Sequence, residues 1–477
     1  MSTVAAVVAD TLLRAGTRRV FAAPGALPTL VEAVRATGLE VVDVAGATAA
    51  CIMAAVTAEL DDVPGAAVVS RASGVTAIAD GAAHATRDRA PLIVVSDDAA
   101  DGGLLEPVTK ASLALDAASA SHWTAHAVQL AMAPPRGAVH LGAGAAVMTA
   151  PTIPVATSCR RPPLPPAPAE TLDELARVIA GAARPVLVTG LGVDADDAKW
   201  VRALAESLPA PVLATPKGKG ALPDPHPLAL GLLAAGHPIL ARADLLVALG
   251  VDGVEIPPGV WPGGVTTAHV ARGAAGHEMY TATSSVVAEI GLVIEELAPR
   301  LKARAAADWD VAELDRVKRT LASPAVAGSG LARRRVVELA REATPAGTLA
   351  ALDVPLAHAW QSVAPRELLI PNGVATAGFA LPAALAAALA RPGRRVLAVG
   401  AAAGLAAVAS ELGTAARLGM PIIAIALNQD GTSSWAAAAR AAGVAPVACG
   451  DEATFRAAFA SAWSARGPAA IDAYVTR

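Results

Sequence analysis

The chain has 477 residues, enough for about three domains at the usual ~150 residues each. It is 54% hydrophobic, but its Ala, Val and Leu come in short runs broken by Gly, Pro and charge, and none approaches the ~20 residues a membrane helix needs. A net charge of -4 with interspersed signs, and only 3% aromatics, exclude the basic field and the stacking platforms of a nucleic-acid binder.

In chain order, "MSTVAAVVADTLLRAGTRRVF" opens with Asp10, Arg14, Arg18 and Arg19 close behind its first apolar positions. That is an amphipathic helix and not a secretory signal, so a cytoplasmic location is expected. The runs "RRVFAAPG", "LEVVDVAG", "GAAVVSRASG", "APLIVVSDD" and "GAVHLGAG" then alternate with helical stretches such as "ATAACIMAAVTAELD". Thr149 to Glu170 is proline-dense and predicts an extended connector. Beyond it lie "RPVLVTGLG", "PVLATPKG", "DLLVALGVD" and "GVTTAHVA". A charged helical stretch around Pro299 to Leu331 leads to "TLAALDV", "RRVLAVGA", "PIIAIALN" and "PAAIDAYV".

Short Val, Ile and Leu runs that end in Gly, Asp or Asn and feed helices are the pattern of buried parallel strands. The expected fold class is α/β, with three doubly wound parallel-sheet domains over residues 1–150, 171–305 and 330–477. Ligands of such sheets sit beyond the carboxyl ends of the strands. At those ends few residues carry obvious chemistry. Gly190 to Gly192 lacks a full glycine fingerprint and a paired acid, and a tight turn explains it as well. Asp97, Asp98 and Asp101 could hold a metal or work as acid and base, although capping and solvation are the simpler reading. His122 and His126 have i, i+4 spacing, and with His84 and His140 fall in the first domain; two histidines alone make a poor metal site. Cys51, Cys159 and Cys449 are far apart and read as buried thiols.

Taken together, several segments resemble the thiamine diphosphate-dependent enzymes of the acetolactate synthase, benzoylformate decarboxylase and pyruvate decarboxylase group. The resemblance is carried by "VFAAPGALPTLVEAV", "SRASGVTAIADGAAHATRDRAPLIVVSDD", "PVLATPKGKGALPDPHPLALGLL", "NGVATAGFALPAALAAALARPGRRVLAVG" and "ELGTAARLGMPIIAIALNQDG". It implies a pyrimidine-binding-like domain, a middle domain and a diphosphate-binding-like domain, in that order. It also implies homodimers or homotetramers, with the cofactor held between the first domain of one chain and the third of another.

The family's diphosphate motif, Gly-Asp-Gly followed after about 25 residues by Asn-Asn, corresponds here to Gly400-Ala401-Ala402 and Asn428-Gln429, with Gly431 in the carbonyl position. Ala401 has no oxygen for a hard cation such as magnesium, and Gln429 carries its amide one methylene farther out. No Asp or Glu lies between Arg394 and Ser410 to rescue the motif. Asp430 is a weak metal candidate, since an Asp-Gly turn already accounts for it. The glutamate that exchanges a proton with the aminopyrimidine falls at Ala47, which cannot do so; a carboligase of the family works with an apolar residue there. The bulky residue that bends the cofactor falls at Ala377. Arg71 stands in a loop usually built of small residues, where it could enter the cleft, bind an anion or face solvent.

These departures, with the turns at Pro24-Gly25, Gly74, Gly378, Leu381-Pro382 and Asn428 retained, lead to an expectation of a degenerate family member without thiamine diphosphate or magnesium. It would act as a partner subunit, pairing with itself or as a hetero-oligomer with an active homologue, or bind a small anionic ligand. The alternative is a thiamine diphosphate-dependent 2-oxoacid decarboxylase or carboligase with an unusual site, holding the diphosphate through backbone donors. A third reading is a cofactor-free enzyme that reuses the cleft.

Overall fold

A computed structural model describes residues 2–97, 102–159, 162–273, 279–302, 307–322, 330–374, 376–429, 431 and 434–476. The Val, Ile and Leu runs form strands, whose backbone groups can be satisfied only by neighbouring strands, and each third of the chain gathers six of them into one parallel sheet. At the outset, β1 (Ser2–Thr3) pairs antiparallel with β8 (Pro151–Thr152), which ties the start of the first unit to its end.

The first sheet holds β2 (Arg19–Ala22), β3 (Glu40–Asp43), β4 (Gly65–Val69), β5 (Leu92–Ser96), β6 (Ala111–Ala114) and β7 (Ala138–Gly142) in the order 3-2-4-5-7-6. The middle sheet holds β9 (Pro185–Thr189), β10 (Val212–Ala214), β11 (Ala229–Leu232), β12 (Leu245–Leu249), β13 (Thr266–Ala271) and β14 (Ser284–Val287) in the order 11-10-9-12-13-14. The third holds β15 (Leu349–Leu352), β16 (Leu368–Leu369), β17 (Val396–Ala401), β18 (Ile422–Asn428), β19 (Pro446–Cys449) and β20 (Ala469–Tyr474) in the order 16-15-17-18-20-19. Every residue of β18 is buried, as a strand covered by helices on both faces requires. The architecture is the α/β class of three doubly wound sheets that the sequence predicts.

Four helices position the site: α1 (Ala47–Asp61), α2 (Val75–Arg87), α3 (Ala380–Ala390) and α4 (Ser410–Arg417). The alanines of α1 and α3 favour helix and leave little side chain to hold the axes apart. The two helices lie against each other across the boundary between the first and third units, and their residues belong to one continuous core. On its other side α1 meets α2, where a Cβ on Gly81 would collide with Cys51. Cys51 is thus a packing residue, and burial pushes its thiol up to about 12.

The Lys-Gly-Lys-Gly stretch joins all three units. Lys217 Nζ lies 2.9 Å from Glu59 and 2.7 Å from Asp88, and Asp88 also accepts the Asn372 N–H at 2.7 Å. Burial works against the charge of Lys217, but Asp88 and Glu59 outweigh it and hold the ammonium above the usual lysine range. Lys219 pairs with Asp224 at 2.5 Å, and that carboxylate accepts the Ser362 N–H at 2.7 Å. Gly220, at φ +86°, leaves no room for a Cβ against the carbonyl of Ala364. Among the described residues no helix is long and apolar enough to cross a membrane.

Candidate functional site

The third sheet presents Ala401 at the end of β17 and Asn428 at the end of β18, two adjacent parallel strands in register from Val396↔Ile422 to Ala401↔Leu427. Gly400 is buried, whereas Ala377, Ala401, Gln429 and Gly431 are exposed on the single chain. Asn428 is buried: its amide nitrogen donates to Asp472 at 3.1 Å and its oxygen accepts the Gly431 N–H at 3.0 Å. That amide closes the turn after β18. Asp430 lies outside the described residues, as do Asp98 and Asp101.

A carboxylate from another strand stands at the turn after β17. Asp353 follows β15, which pairs with β17 through Leu352↔Val399, and its Oδ1 accepts the Ala401 N–H at 3.2 Å. A Cβ on Gly400 would come within 2.5 Å of Asp353 Oδ1, so only glycine fits beside it. The N–H groups of Gly378 and Ala380 also support the carboxylate, yet burial pushes it up to about 6. Its Oδ2 is buried with no hydrogen-bond partner among the described residues. Gly378 itself, at φ +83°, would place a Cβ 2.5 Å from the Gly404 carbonyl oxygen. Gly378, Gly400 and Gly404 therefore fit a backbone cradle closed around Asp353.

The other half of the site lies at the head of α1. Ala47 is its first residue and is buried, and its N-cap, Gly46, has no capping side chain. Just ahead of the helix, Glu411 Oε1 of α4 accepts the Ala45 N–H at 2.9 Å across 366 residues of sequence. Glu411 is 1% exposed, and burial pushes its carboxyl above the ordinary glutamate range against the Thr414 hydroxyl and the N–H groups of Ala45 and Gly46. Its Oε2 is buried with no hydrogen-bond partner among the described residues.

Arg71 sits on a single exposed turn, Arg71–Ser73, after β4, and donates its backbone N–H to Asp97 at 2.7 Å. Asp97 also accepts the Ser70 hydroxyl at 2.9 Å, so this carboxylate braces the turn. His122 and His126 stack on one another beside Trp123, His140 bonds Ser96 and Ser112, and His84 lies against Phe379.

A cleft of about 560 Å³ opens between the first and middle units, lined among others by Leu191, Gly192, Asp252 and Arg272. None of the site residues above lines it. Gly192 would set a Cβ 2.9 Å from the Gly250 carbonyl, and Gly190 is as tightly placed against Val251, so backbone packing accounts for both glycines. Arg272 is bound by Asp194, Asp197 and Glu289.

Three doubly wound sheets, with the loops of the third gathered around two glycine turns and the helix head of the first buried against it, define a three-domain α/β protein. Comparison with known proteins gives the family. Residues 2–116 match the N-terminal TPP binding domain of thiamine pyrophosphate enzymes, residues 172–297 their central domain and residues 352–434 their C-terminal TPP binding domain. The chain belongs to the thiamine pyrophosphate enzyme family.

The chain is 25% identical over 450 residues to the catabolic acetolactate synthase of Raoultella terrigena, covering 86% of this chain and 80% of that one. It is 28% identical over 295 residues to the large subunit of acetolactate synthase isozyme 1 of Escherichia coli, an alignment over 55% of this chain and only 49% of the relative. In fold it is similar to the thiamine diphosphate-dependent 4-hydroxybenzoylformate decarboxylase of Rhodococcus jostii, with a TM-score of 0.83 at 22% identity over 100% of this chain and 99% of the other.

These matches overturn the expectation of a chain without cofactor. The first and third domains both match cofactor-binding domains, which points to thiamine diphosphate. The expectation went wrong by weighing the side chains at 47, 377, 401 and 429 above the backbone. A diphosphate cradle is built mainly from glycine turns, and those are kept. For the divalent cation the fit is poorer, because Ala401 offers no side-chain oxygen and the Asn428 oxygen is engaged by Gly431. Asp353 and Glu411 were missed in the sequence. Asp353 ends a strand in "TLAALDV", and Glu411 is a lone acid in the otherwise apolar start of "ELGTAARLG"; an acid at a strand end or in an apolar helix face is the signal that could have found them.

Proposed function

We propose that this protein is a thiamine diphosphate-dependent enzyme acting on 2-oxoacids, a decarboxylase or carboligase whose cation clamp differs from the family pattern. The observation that carries the reading is the cradle in the third domain, where Asp353 gathers the Ala401 N–H and only glycine fits at 400 and 378. Membership of the family, and relatives named for acetolactate synthesis and for decarboxylation of 4-hydroxybenzoylformate, support the substrate class.

When bound, thiamine diphosphate supplies a nucleophilic carbon and an electron sink for breaking the bond beside a carbonyl. The chain's own part is to hold and orient. The Gly400-Ala401 turn and the turn closed by Asn428 and Gly431 would face the diphosphate, with no side-chain carboxylate at 401 to share in holding it. Ala377 leaves open the space that a bulkier residue fills elsewhere in the family. The exposed face formed by Ala377, Ala401, Gln429 and Gly431 needs a second first domain over it, so we propose that the working unit is a homodimer or a larger homo-oligomer. Incubation with a panel of 2-oxoacids, pyruvate and an arylglyoxylate included, tests the activity. Consumption that depends on added thiamine diphosphate is expected; none across the panel, with cofactor and magnesium present, would contradict it.

A further inference from the structure

The backbone N–H at the centre of the turn Gly190-Leu191-Gly192 is aimed at an anion, and that anion belongs to the chain itself. In the middle sheet β10 and β11 lie on one side of β9, and β12 to β14 on the other. The crevice beyond the ends of β9 and β12, which pair at Thr189↔Leu249, is where a sheet wound this way receives its ligand. The turns that follow the two strands meet there, with Gly192 set against the carbonyl of Gly250.

Glu255, 5% exposed, holds that crevice, with both carboxylate oxygens 3.0 Å from the Leu191 nitrogen. Oε1 also accepts the Thr215 hydroxyl at 2.5 Å, beyond β10, and Oε2 accepts the Asp252 N–H at 3.1 Å, beyond β12. Two backbone amides and a hydroxyl, none of them charged, are donors of the kind with which backbone nests hold phosphate. A Cβ on Gly190 would come within 2.6 Å of Oε2, so only glycine leaves room for the carboxylate. Capping the short turn Gly253–Glu255 engages the Asp252 N–H alone; Leu191 and Thr215 stand 64 and 40 residues away from Glu255 along the chain.

Leu191, Gly250 and Asp252 also line the cleft of about 560 Å³, yet the N–H groups of Leu191 and Asp252 are engaged by Glu255, and the Asp252 carboxylate is engaged by Arg89 at 2.8 Å. Thr215 passes the hold onward. Its hydroxyl oxygen accepts the Gly218 N–H at 3.0 Å, which fixes the base of the segment from Lys217 to Gly220. That segment reaches Glu59 and Asp88 of the first domain and packs against the Ala364 carbonyl of the third. We propose that Glu255 is a resident anion: its carboxylate fills the anion seat of the middle domain, closes it to phosphate-bearing ligands and makes it the anchor of the segment that joins the three domains. Nothing in this seat depends on the proposed thiamine diphosphate, so the two readings stand or fall separately.

Emptying the seat and offering it a small anion is the test. Burial pushes the Glu255 carboxyl up to about 7, so thermal unfolding is followed at about pH 8, where the group is ionised, in sodium formate and in sodium chloride of equal ionic strength. Glu255→Ala is expected to melt below the parent in chloride and to recover about 2–4 °C in formate, while the parent melts alike in both salts. A Glu255→Ala protein that melts with the parent in chloride, or that gains no more from formate than the parent does, would overturn the assignment. If Glu255→Ala does not fold, the isosteric Glu255→Gln decides the matter through hydrogen–deuterium exchange of residues 215–220. Exchange faster than the parent's by about fivefold, the worth of one charge on a hydrogen bond, supports the anchor, and an unchanged rate removes it. Closure of the seat is read by titrating the parent with ADP in a calorimeter, in the presence of excess thiamine diphosphate: no heat of binding is expected, and saturable binding would contradict it.

Discussion

At the scale of single residues the site is a trade between side chain and backbone. Ala401 ends β17 with its N–H held by Asp353, so the turn keeps its shape without the carboxylate that the family places there. Restoring an oxygen at this exposed position should tighten the hold on a hard cation. Ala401→Asp is expected to raise magnesium-dependent affinity for thiamine diphosphate about tenfold, the order of one charge-assisted ligand. Calorimetry with and without magnesium checks it, and equal affinities in the two proteins would show that the cation does not bind at this turn. The motif positions themselves were legible in the sequence, because Gly400-Ala401 and Asn428-Gln429 keep their spacing. Asp353 and Glu411 were not, since each acts on a residue far from it along the chain: Asp353 through the β15–β17 pairing and Glu411 across 366 residues.

Elements show the same division. The three sheets could be read from runs such as "PIIAIALN", because a strand buried on both faces must be continuously apolar. The connections that lock strand ends together could not. Glu255 is one: fully buried, it accepts the Leu191 N–H at 3.0 Å after β9, the Thr215 hydroxyl at 2.5 Å after β10 and the Asp252 N–H at 3.1 Å after β12. Burial nonetheless pushes its carboxyl up to about 7. A carboxyl that binds its proton more tightly folded than unfolded adds stability at low pH, and loses it as pH rises from about 4.5 to about 7. Across that window the parent should lose about 3 kcal/mol from this group. Denaturant unfolding at pH 4.5 and 7.5 should show Glu255→Gln losing less over the interval than the parent does; equal losses would refute the assignment.

Over the whole molecule, the three units are joined by buried charge as well as by apolar surface. Lys217 of the middle unit is held by Glu59 and Asp88 of the first, and Asp88 is shared with Asn372 of the third. Removing one member of such a group leaves the others charged and buried. Lys217→Met is expected to destabilise the fold by about 3–5 kcal/mol in denaturant unfolding, whereas less than about 1 kcal/mol would mean that the junction carries little of the stability. That junction, the shared core of α1 and α3 and the Glu411 contact fix the first domain on the third, with the residues Ala377, Ala401, Gln429 and Gly431 exposed. The central claim is that this arrangement still binds thiamine diphosphate despite Ala47, Ala377 and Ala401. Titration of the purified protein with thiamine diphosphate and magnesium in a calorimeter tests it most directly. Saturable binding with a dissociation constant of about 100 μM or tighter, roughly 5.5 kcal/mol, is the expected result; no heat of binding at millimolar cofactor, with the protein folded and oligomeric, would contradict it.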